Sequence, residues 1–251
     1  MNCTPLPAEL IHVELIQQIG SDHALHHSAC EDILYENVFP SFCFYGLADG
    51  QSGKPRCKEG GLAALQALAA CIDRYGLRNL IHRPFPDEIP YLLMNEIRQT
   101  LLSLSKTIGG TLSDYASTLL AIAIDTESKD YLLLHLGDGC AISIQSDGTI
   151  LMLSPPENTM MGHTWLTSSS HALSHFRCVF GSIQKQKRIV LLSDGAGFCR
   201  GKNIPPQNRD LLCSGSALDI QTFWEARRPV DDASCILLDF PNSTEPGQEH
   251  P

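Results

Sequence analysis

The stretch STLLAIAIDTESKDYLLLHLGDGCAISIQSDGTILMLS, residues 117–154, decides the fold class of this chain. It contains four short runs rich in aliphatic and β-branched residues, and each run predicts a strand. Between the last two runs, Ser146-Asp147-Gly148-Thr149 is a sequence typical of a tight turn. We therefore expect a ladder of hairpins, mainly antiparallel, at the centre of the molecule.

The segments on either side contain both strand and helix patterns. Strands are predicted at 12–20, at 33–47 with a turn at Pro40, at 177–183, at 188–193 and at 234–240. Apolar residues at steps of three and four predict helices over 59–75, 87–107 and 216–227. Polar residues at 155–175 predict a flap, and 199–213 reads as an exposed excursion. Because helices and strands are segregated, the pattern favours an α+β fold with two sheets flanked by helices.

Length and composition predict one domain. With 251 residues, of which 43% are apolar, the chain can bury a full core, and nothing in it resembles a linker. We expect a single catalytic domain over residues 1–240. The tail at 241–251 has almost no apolar residues and is expected to be disordered.

Charge and cysteine usage exclude several classes of protein. The formal net charge of -10 opposes nucleic-acid binding. No apolar run reaches the length of a membrane span, and the start lacks the pattern of a secretory signal. The ten cysteines are scattered and form no C-x-x-C pair, so we interpret them as reduced, buried thiols. A cytoplasmic protein without membrane or nucleic-acid partners is expected.

Four aspartates lie at the edges of apolar strands. Glycine follows three of them directly; the four are Asp49, Asp138, Asp194 and Asp231. A carboxylate cannot stay in an apolar layer without a partner, so each must lie at a sheet end. Clustered carboxylates repel one another unless a cation neutralises them, and oxygen ligands suit Mg²⁺ or Mn²⁺ better than zinc. A single Asp-Gly after a strand is usually only a turn, as Asp147-Gly148 is, so both readings stay open.

Several short motifs in order extend this pattern over most of the chain. They are Glu31-Asp32, LADG at 47–50, STLL at 117–120, LGDG at 136–139, LLSDG at 191–195 and DDAS at 231–234. From about residue 20 to 240, the series resembles the type 2C, metal-dependent family of protein serine/threonine phosphatases, in a divergent bacterial form. The resemblance implies a four-layer αββα sandwich with two central, mainly antiparallel sheets and a helix pair on each outer face.

The same resemblance implies a metal centre in a cleft at one end of the sandwich. Asp49 would bridge two Mn²⁺ or Mg²⁺ ions, and the carbonyl of Gly50 would bind as well. Asp194 and Asp231 would complete one shell, whereas Glu31 and Asp32 would act mainly through metal-bound water.

Further roles follow from the same motifs. Asp138 with Asp194 resembles the pair that holds a weaker third ion in some members. The implied reaction is hydrolysis of phosphoserine and phosphothreonine esters by a metal-activated water, without a covalent intermediate. The implied partners are a phosphoprotein substrate and a separate kinase, and a monomer is expected.

The main departure from the family pattern is a histidine. The family commonly carries an arginine four residues before the glutamate, and that position here is His27. His27 is either a substitute clamp for the substrate phosphate or a polar loop residue. The departure keeps a second function open, namely a weakly active or inactive regulatory protein that binds a partner. In the flap, Met160, Met161 and Trp165 are expected to pin the loop to the core.

Overall fold

The computed structural model describes residues 11–158, 163–199 and 201–241. Within these residues, ten strands form the centre: β1 (His12–Gln18), β2 (Asp32–Val38), β3 (Phe42–Asp49), β4 (Leu119–Asp125), β5 (Asp130–Leu136), β6 (Cys140–Gln145), β7 (Ile150–Ser154), β8 (Arg177–Ser182), β9 (Gln186–Leu192) and β10 (Ala233–Asp239). The α-helices are α1 (Ser21–Leu25), α2 (Cys57–Tyr75), α3 (Leu77–Ile81), α4 (Glu88–Ile108), α5 (Ala172–His175), α6 (Pro206–Ser214) and α7 (Ala217–Arg227). Short 3-10 turns cover Leu112–Tyr115 and Asp194–Ala196.

The strands form two five-stranded sheets. The first sheet has the order β1-β10-β9-β6-β7 and the second has the order β2-β3-β4-β5-β8. Every pairing between neighbouring strands is antiparallel. The predicted α+β class with two antiparallel sheets is therefore confirmed.

Three apolar layers hold the sheets and helices together. Ile122, Leu133, Ile189 and Ile236 are among the residues that fill the space between the two sheets. Helices α2 and α4 cover the outer face of the second sheet, with Leu65 and Ile97 fully buried there. Helices α6 and α7 cover the first sheet, where Trp224 is 1% exposed. The result is the αββα arrangement that the sequence predicts.

The prediction of one continuous hairpin ladder over residues 117–154 is wrong at one step. Strands β4 and β5 belong to the second sheet, whereas β6 and β7 belong to the first. The chain crosses between the sheets at Gly137-Asp138-Gly139. Gly137 has φ +120°, and a Cβ there would lie 2.8 Å from Cβ of Thr118; a Cβ on Gly139 would lie 2.7 Å from the carbonyl oxygen of Leu192. Both glycines let the backbone make this crossing, which leaves Asp138 between the two sheet ends.

Smaller corrections concern the connections. The segment 199–213, expected as an exposed excursion, contains most of α6, which begins with Pro206 at its first turn and buries Leu212. The flap contains the short helix α5, and the sequence did not predict α1 or α3. The tail expected to be disordered lies, apart from Pro241, outside the described residues. Among the described residues, no helix is both long and apolar enough to cross a membrane.

Candidate metal centre

Three aspartates from different strands converge at one end of the sandwich. Asp49 ends β3, Asp138 lies in the crossing after β5, and Asp194 follows β9. One carboxylate oxygen from each lies within 4.8 Å of the other two. The strand directions explain this meeting: β3 and β5 run parallel to each other, flank β4, and so end at the same edge.

Backbone contacts fix Asp49 and the residue after it. The amide of Asp49 donates to Oγ1 of Thr118 at 2.9 Å, and its carbonyl accepts from the amide of Thr118 at 2.8 Å. Gly50 is buried, and a Cβ there would lie 2.7 Å from Sγ of Cys57. A glycine is therefore needed for the close packing immediately after the carboxylate.

Asp194 and Asp231 approach from the first sheet. Asp194 begins a 3-10 turn, and its Oδ1 accepts from the amide of Gly195 at 2.7 Å. A Cβ on Gly195 would lie 2.1 Å from the carbonyl oxygen of Asp232. The segment that follows β9 therefore touches the segment that precedes β10. Asp231 is exposed, and its Oδ1 accepts from the amide of Asp232 at 2.8 Å. Asp231 lies beside the cluster of three but not within the 4.8 Å group.

Asp32 and Glu31 bring further carboxylates to the same edge. Asp32 lies directly opposite Asp49 on paired strands and is 3% exposed. Neither of its carboxylate oxygens has a hydrogen bond of good geometry among the described residues, and Oε2 of Glu31 is likewise buried without one. Buried polar atoms normally have partners, so these orphaned oxygens are what a cation and its ligands would satisfy.

The carboxylates at this end of the sandwich form an acidic cluster without a neutralising cationic side chain among the described residues. Burial, followed by the charge of Asp32, raises the pKa of Asp49 well above its usual value. Burial raises the pKa of Asp32 to about 7 against the opposing effect of the nearby hydroxyls of Ser234 and Ser193. Asp194 reaches a pKa of about 6 through burial of its carboxylate and the charge of Asp138. Among the described residues, no lysine or arginine pairs with these carboxylates.

A histidine that sequence reasoning missed lies at the rim. Nδ1 of His23 is 2.8 Å from Oδ2 of Asp232, and its Nε2 is 3.5 Å from Oε2 of Glu31. Burial raises the pKa of Asp232, but hydrogen bonds from Gly20, Glu31 and His23 outweigh it and leave the pKa lowered. Asp232 therefore acts as an ionised anchor for the Glu31 segment. A single histidine in the short helix α1 gives no sequence signal of such a contact.

His27, the residue predicted as a possible phosphate clamp, lies on the surface. It is exposed and adopts a left-handed φ of +53°. Its role in binding phosphate stays a prediction.

The flap is attached to the aspartate cluster by hydrogen bonds. The hydroxyl of Thr164 donates to Oδ2 of Asp138, and the amide of Glu157 donates to the carbonyl of Gly137 at 2.9 Å. Trp165 stacks on His175 at 3.8 Å and packs against the core, as predicted. Met160 and Met161, predicted to do the same, lie outside the described residues.

Fold and site together define a class: an αββα sandwich with strand-end carboxylates gathered at one end, which is the architecture of metal-dependent phosphatases. The family model for protein phosphatase 2C matches residues 19–218. The chain belongs to this family, as the sequence motifs predict. None of the curated protein sequences matches it.

Three solved structures share the fold at low sequence identity. The serine/threonine phosphatase Stp1 from Staphylococcus aureus is 13% identical, with a TM-score of 0.65, over 93% of this chain and 96% of that one. PppA, a regulatory component of the type VI secretion system of Pseudomonas aeruginosa, is 13% identical, with a TM-score of 0.66, over 92% and 98%. RsbX, solved in complex with magnesium, is 14% identical, with a TM-score of 0.58, over 92% and 96%.

Proposed function

We propose that this protein is a metal-dependent phosphatase that hydrolyses phosphoserine and phosphothreonine monoesters. The observation that carries the proposal is the meeting of Asp49, Asp138 and Asp194 within 4.8 Å, with no cationic side chain paired to them in the described part of the chain. Such a group is unfavourable by itself and becomes favourable around divalent cations.

The donor set fits Mn²⁺ or Mg²⁺. Asp49 and the carbonyl of Gly50 would hold two ions together with Asp194 and Asp231, and Asp138 would add a weaker third site with Asp194. When bound, the ions would lower the pKa of water toward neutrality and offset charge on the phosphoryl oxygens. A water nucleophile needs no covalent intermediate on the protein.

The surrounding residues orient this centre. Asp32 and Glu31 would accept hydrogen bonds from water at their orphaned oxygens, and the ionised Asp232 holds the amide of Glu31 at 2.6 Å. The substrate would be a phosphoprotein, with a separate kinase as its counterpart. The cytoplasmic location and the monomeric state expected from the sequence stay predictions.

Manganese-dependent hydrolysis tests the proposal directly. Purified protein is assayed with p-nitrophenyl phosphate and with phosphoserine and phosphothreonine peptides, with Mn²⁺ and with EDTA. We expect hydrolysis that requires metal and falls by roughly 100-fold or more in Asp49→Asn and Asp194→Asn, since each removes an anionic ligand. Asp147→Asn is the matched control because Asp147 only closes the exposed turn between β6 and β7 through the amide of Thr149.

One result would favour the regulatory alternative, which the replacement of the family arginine by His27 supports. If folded protein binds Mn²⁺ but hydrolyses none of these esters, the chain keeps the fold of a phosphatase and acts by binding a partner. Hydrolysis that is equally fast in EDTA would exclude the metal mechanism.

A further inference from the structure

Two cysteines lie in contact beside the candidate metal centre. Sγ of Cys140 is 3.1 Å from Sγ of Cys199, and the Cys140 thiol donates to the other sulfur. Among the nine cysteines that the structure describes, this is the only pair joined by a sulfur–sulfur hydrogen bond, and all nine are free. The two residues are 59 positions apart, so only the fold brings them together.

Each cysteine belongs to a segment that carries a proposed metal ligand. Cys140 is the first residue of β6, two positions after Asp138, and Cys199 lies five positions after Asp194. All four residues line one cavity of about 180 Å³. A covalent link between the sulfurs would therefore join the two segments that position these aspartates.

The two sulfurs differ in access to solvent. Cys140 is 3% exposed, whereas Cys199 is half-buried. A small oxidant that enters the cavity reaches Cys199 first, and the buried thiol of Cys140 is already in contact with the Cys199 sulfur. In this arrangement, Cys199 is the cysteine that the oxidant converts to a sulfenic acid, and Cys140 is the resolving cysteine.

We propose that Cys140 and Cys199 form a reversible disulfide on exposure to a peroxide, and that the disulfide weakens Mn²⁺ binding at the adjacent aspartates. The Cys199 sulfur attacks one peroxide oxygen and becomes a sulfenic acid as the first water leaves. The Cys140 sulfur then attacks the Cys199 sulfur, the S–S bond forms and a second water leaves. Two thiols lose two electrons and two protons, and one hydrogen peroxide is reduced to two waters.

The effect on the metal site follows from distance. A disulfide requires an S–S separation of about 2.05 Å, so the sulfurs must approach by roughly 1 Å. The movement is transmitted to segments with little freedom, because a Cβ on Gly139 would already lie 2.7 Å from the carbonyl of Leu192. Metal–ligand distances hold to within about 0.2 Å, so a displacement of either aspartate on the scale of 1 Å weakens binding of the ion. This second part of the proposal rests on the proposed metal-dependent function, whereas the disulfide itself does not.

Mass spectrometry tests the disulfide without any assay of activity. Full-length protein is treated with hydrogen peroxide and then analysed intact and after non-reducing digestion. We expect a loss of 2 Da per chain, a cross-linked peptide pair that contains residues 140 and 199, and recovery of the original mass with dithiothreitol. Cys199→Ser and Cys140→Ser should abolish the cross-link, whereas Cys213→Ser, a half-buried cysteine in α6, should retain it. Because a serine at the buried position could impair folding, Cys199→Ser alone is a sufficient variant.

The metal measurement separates the two parts. Mn²⁺ binding, followed by electron paramagnetic resonance of the free ion, should weaken about tenfold or more in the oxidised protein and recover after reduction. Oxidised wild type that is cross-linked but binds Mn²⁺ unchanged would overturn the coupling to the metal site. Stable gain of 16 or 32 Da at Cys199 without a cross-link, or linkage to another cysteine, would overturn the disulfide. Reduced protein that binds no Mn²⁺ would contradict the proposed function, but the mass spectra would still show whether the disulfide between Cys140 and Cys199 forms.

Discussion

Both ends of the sandwich carry aspartates at the ends of strands, but only one end pairs them with arginines. At the end away from the cluster, Asp125 closes β4 and accepts from Arg78 at 2.9 Å, and Asp239 closes β10 and forms two hydrogen bonds with Arg188 at 2.6 and 2.8 Å. At the other end, Asp49, Asp138 and Asp194 have no such partner among the described residues. A strand-end aspartate paired with arginine contributes to structure, whereas an unpaired group of them provides a place for a cation.

The pKa values follow the same division. Burial raises the pKa of Asp125, but the bonds from Arg78 and from the amides of Ser128 and Glu127 outweigh it, so the pKa is lowered. The pKa values of Asp49, Asp32 and Asp194 are all raised, with burial as the first cause. The predictions below test whether this contrast between a paired and an unpaired end is correct.

The largest expected effect concerns the paired end. Arg188 is 6% exposed and also donates to the carbonyls of Leu212 and Gly215. Arg188→Met should lower the free energy of unfolding by about 4 kcal/mol, because it leaves the Asp239 carboxylate unpaired and two carbonyls unsatisfied. Urea denaturation measures the change.

The matched control for that variant is a surface pair. Arg74 and Glu96 form an exposed bidentate pair at 3.1 and 3.3 Å, and Arg74→Met should change the free energy of unfolding far less than Arg188→Met, because solvent screens the pair. Equal losses in the two variants would show that burial does not distinguish the pair at the end of β10.

The second prediction concerns pH and the unpaired end. A raised carboxyl pKa means that the folded state holds a proton that the unfolded state releases, so stability falls as pH rises from about 4 to about 7. For Asp32, with a pKa of about 7, this loss is on the order of 3 kcal/mol in metal-free protein. Denaturation in EDTA should therefore show Asp32→Asn more stable than wild type at pH 7, with the two converging near pH 4.

Asp125 supplies the opposite slope as a control. Its lowered pKa means that its contribution is fully present at neutral pH and is lost as pH falls below about 4. The division of the molecule into two ends would be wrong if Asp32→Asn were less stable than wild type at pH 7 in EDTA.

The third prediction reverses its sign with metal. In EDTA at pH 7, Asp194→Asn should raise the free energy of unfolding, because one of the mutually repelling charges is removed; Asp194 is exposed, so solvent screening keeps the gain below that of Asp32→Asn. In Mn²⁺, wild type gains stability by binding the ion and the variant gains less, so the order should invert. Thermal unfolding in both conditions measures this, with Asp147→Asn expected to follow wild type in each.

Apolar runs were enough to predict most strands, but not the sheet to which each strand belongs. The two apolar runs within residues 131–145 look the same in a hairpin and in a crossing between sheets, so the role of Gly137 and Gly139 was not visible. Helix α6 was missed because it buries little apart from Asn208 and Leu212, although Pro206 at its first turn was a usable start signal.

The candidate site was predictable to the extent that its residues lie at strand ends. An apolar run directly precedes each of Asp49, Asp138 and Asp194. Since a carboxylate is not buried unpaired within the apolar layer, each must lie at the end of its strand. The contacts of His23 with Asp232 and of Cys140 with Cys199 were not predictable, because segments separated by 209 and 59 residues approach only in the folded chain. Cysteine pairing cannot be deduced from spacing alone.

The smallest expected effect tests whether the flap contributes to the unpaired end. Thr164 donates its hydroxyl to Asp138, and Asp138 is the ligand proposed for the weakest ion. Thr164→Val keeps the shape of the side chain but removes the donor, so the carboxylate loses orientation while its charge remains. Loss of a bond that orients a ligand should weaken Mn²⁺ binding by roughly five- to tenfold, about 1 kcal/mol.

Thr126→Val is the control at the paired end, where the hydroxyl donates to the carbonyl of Ser41 on the surface. Mn²⁺ titration should separate the two variants while their thermal unfolding in EDTA stays similar; equal Mn²⁺ affinities would mean that the flap does not position Asp138.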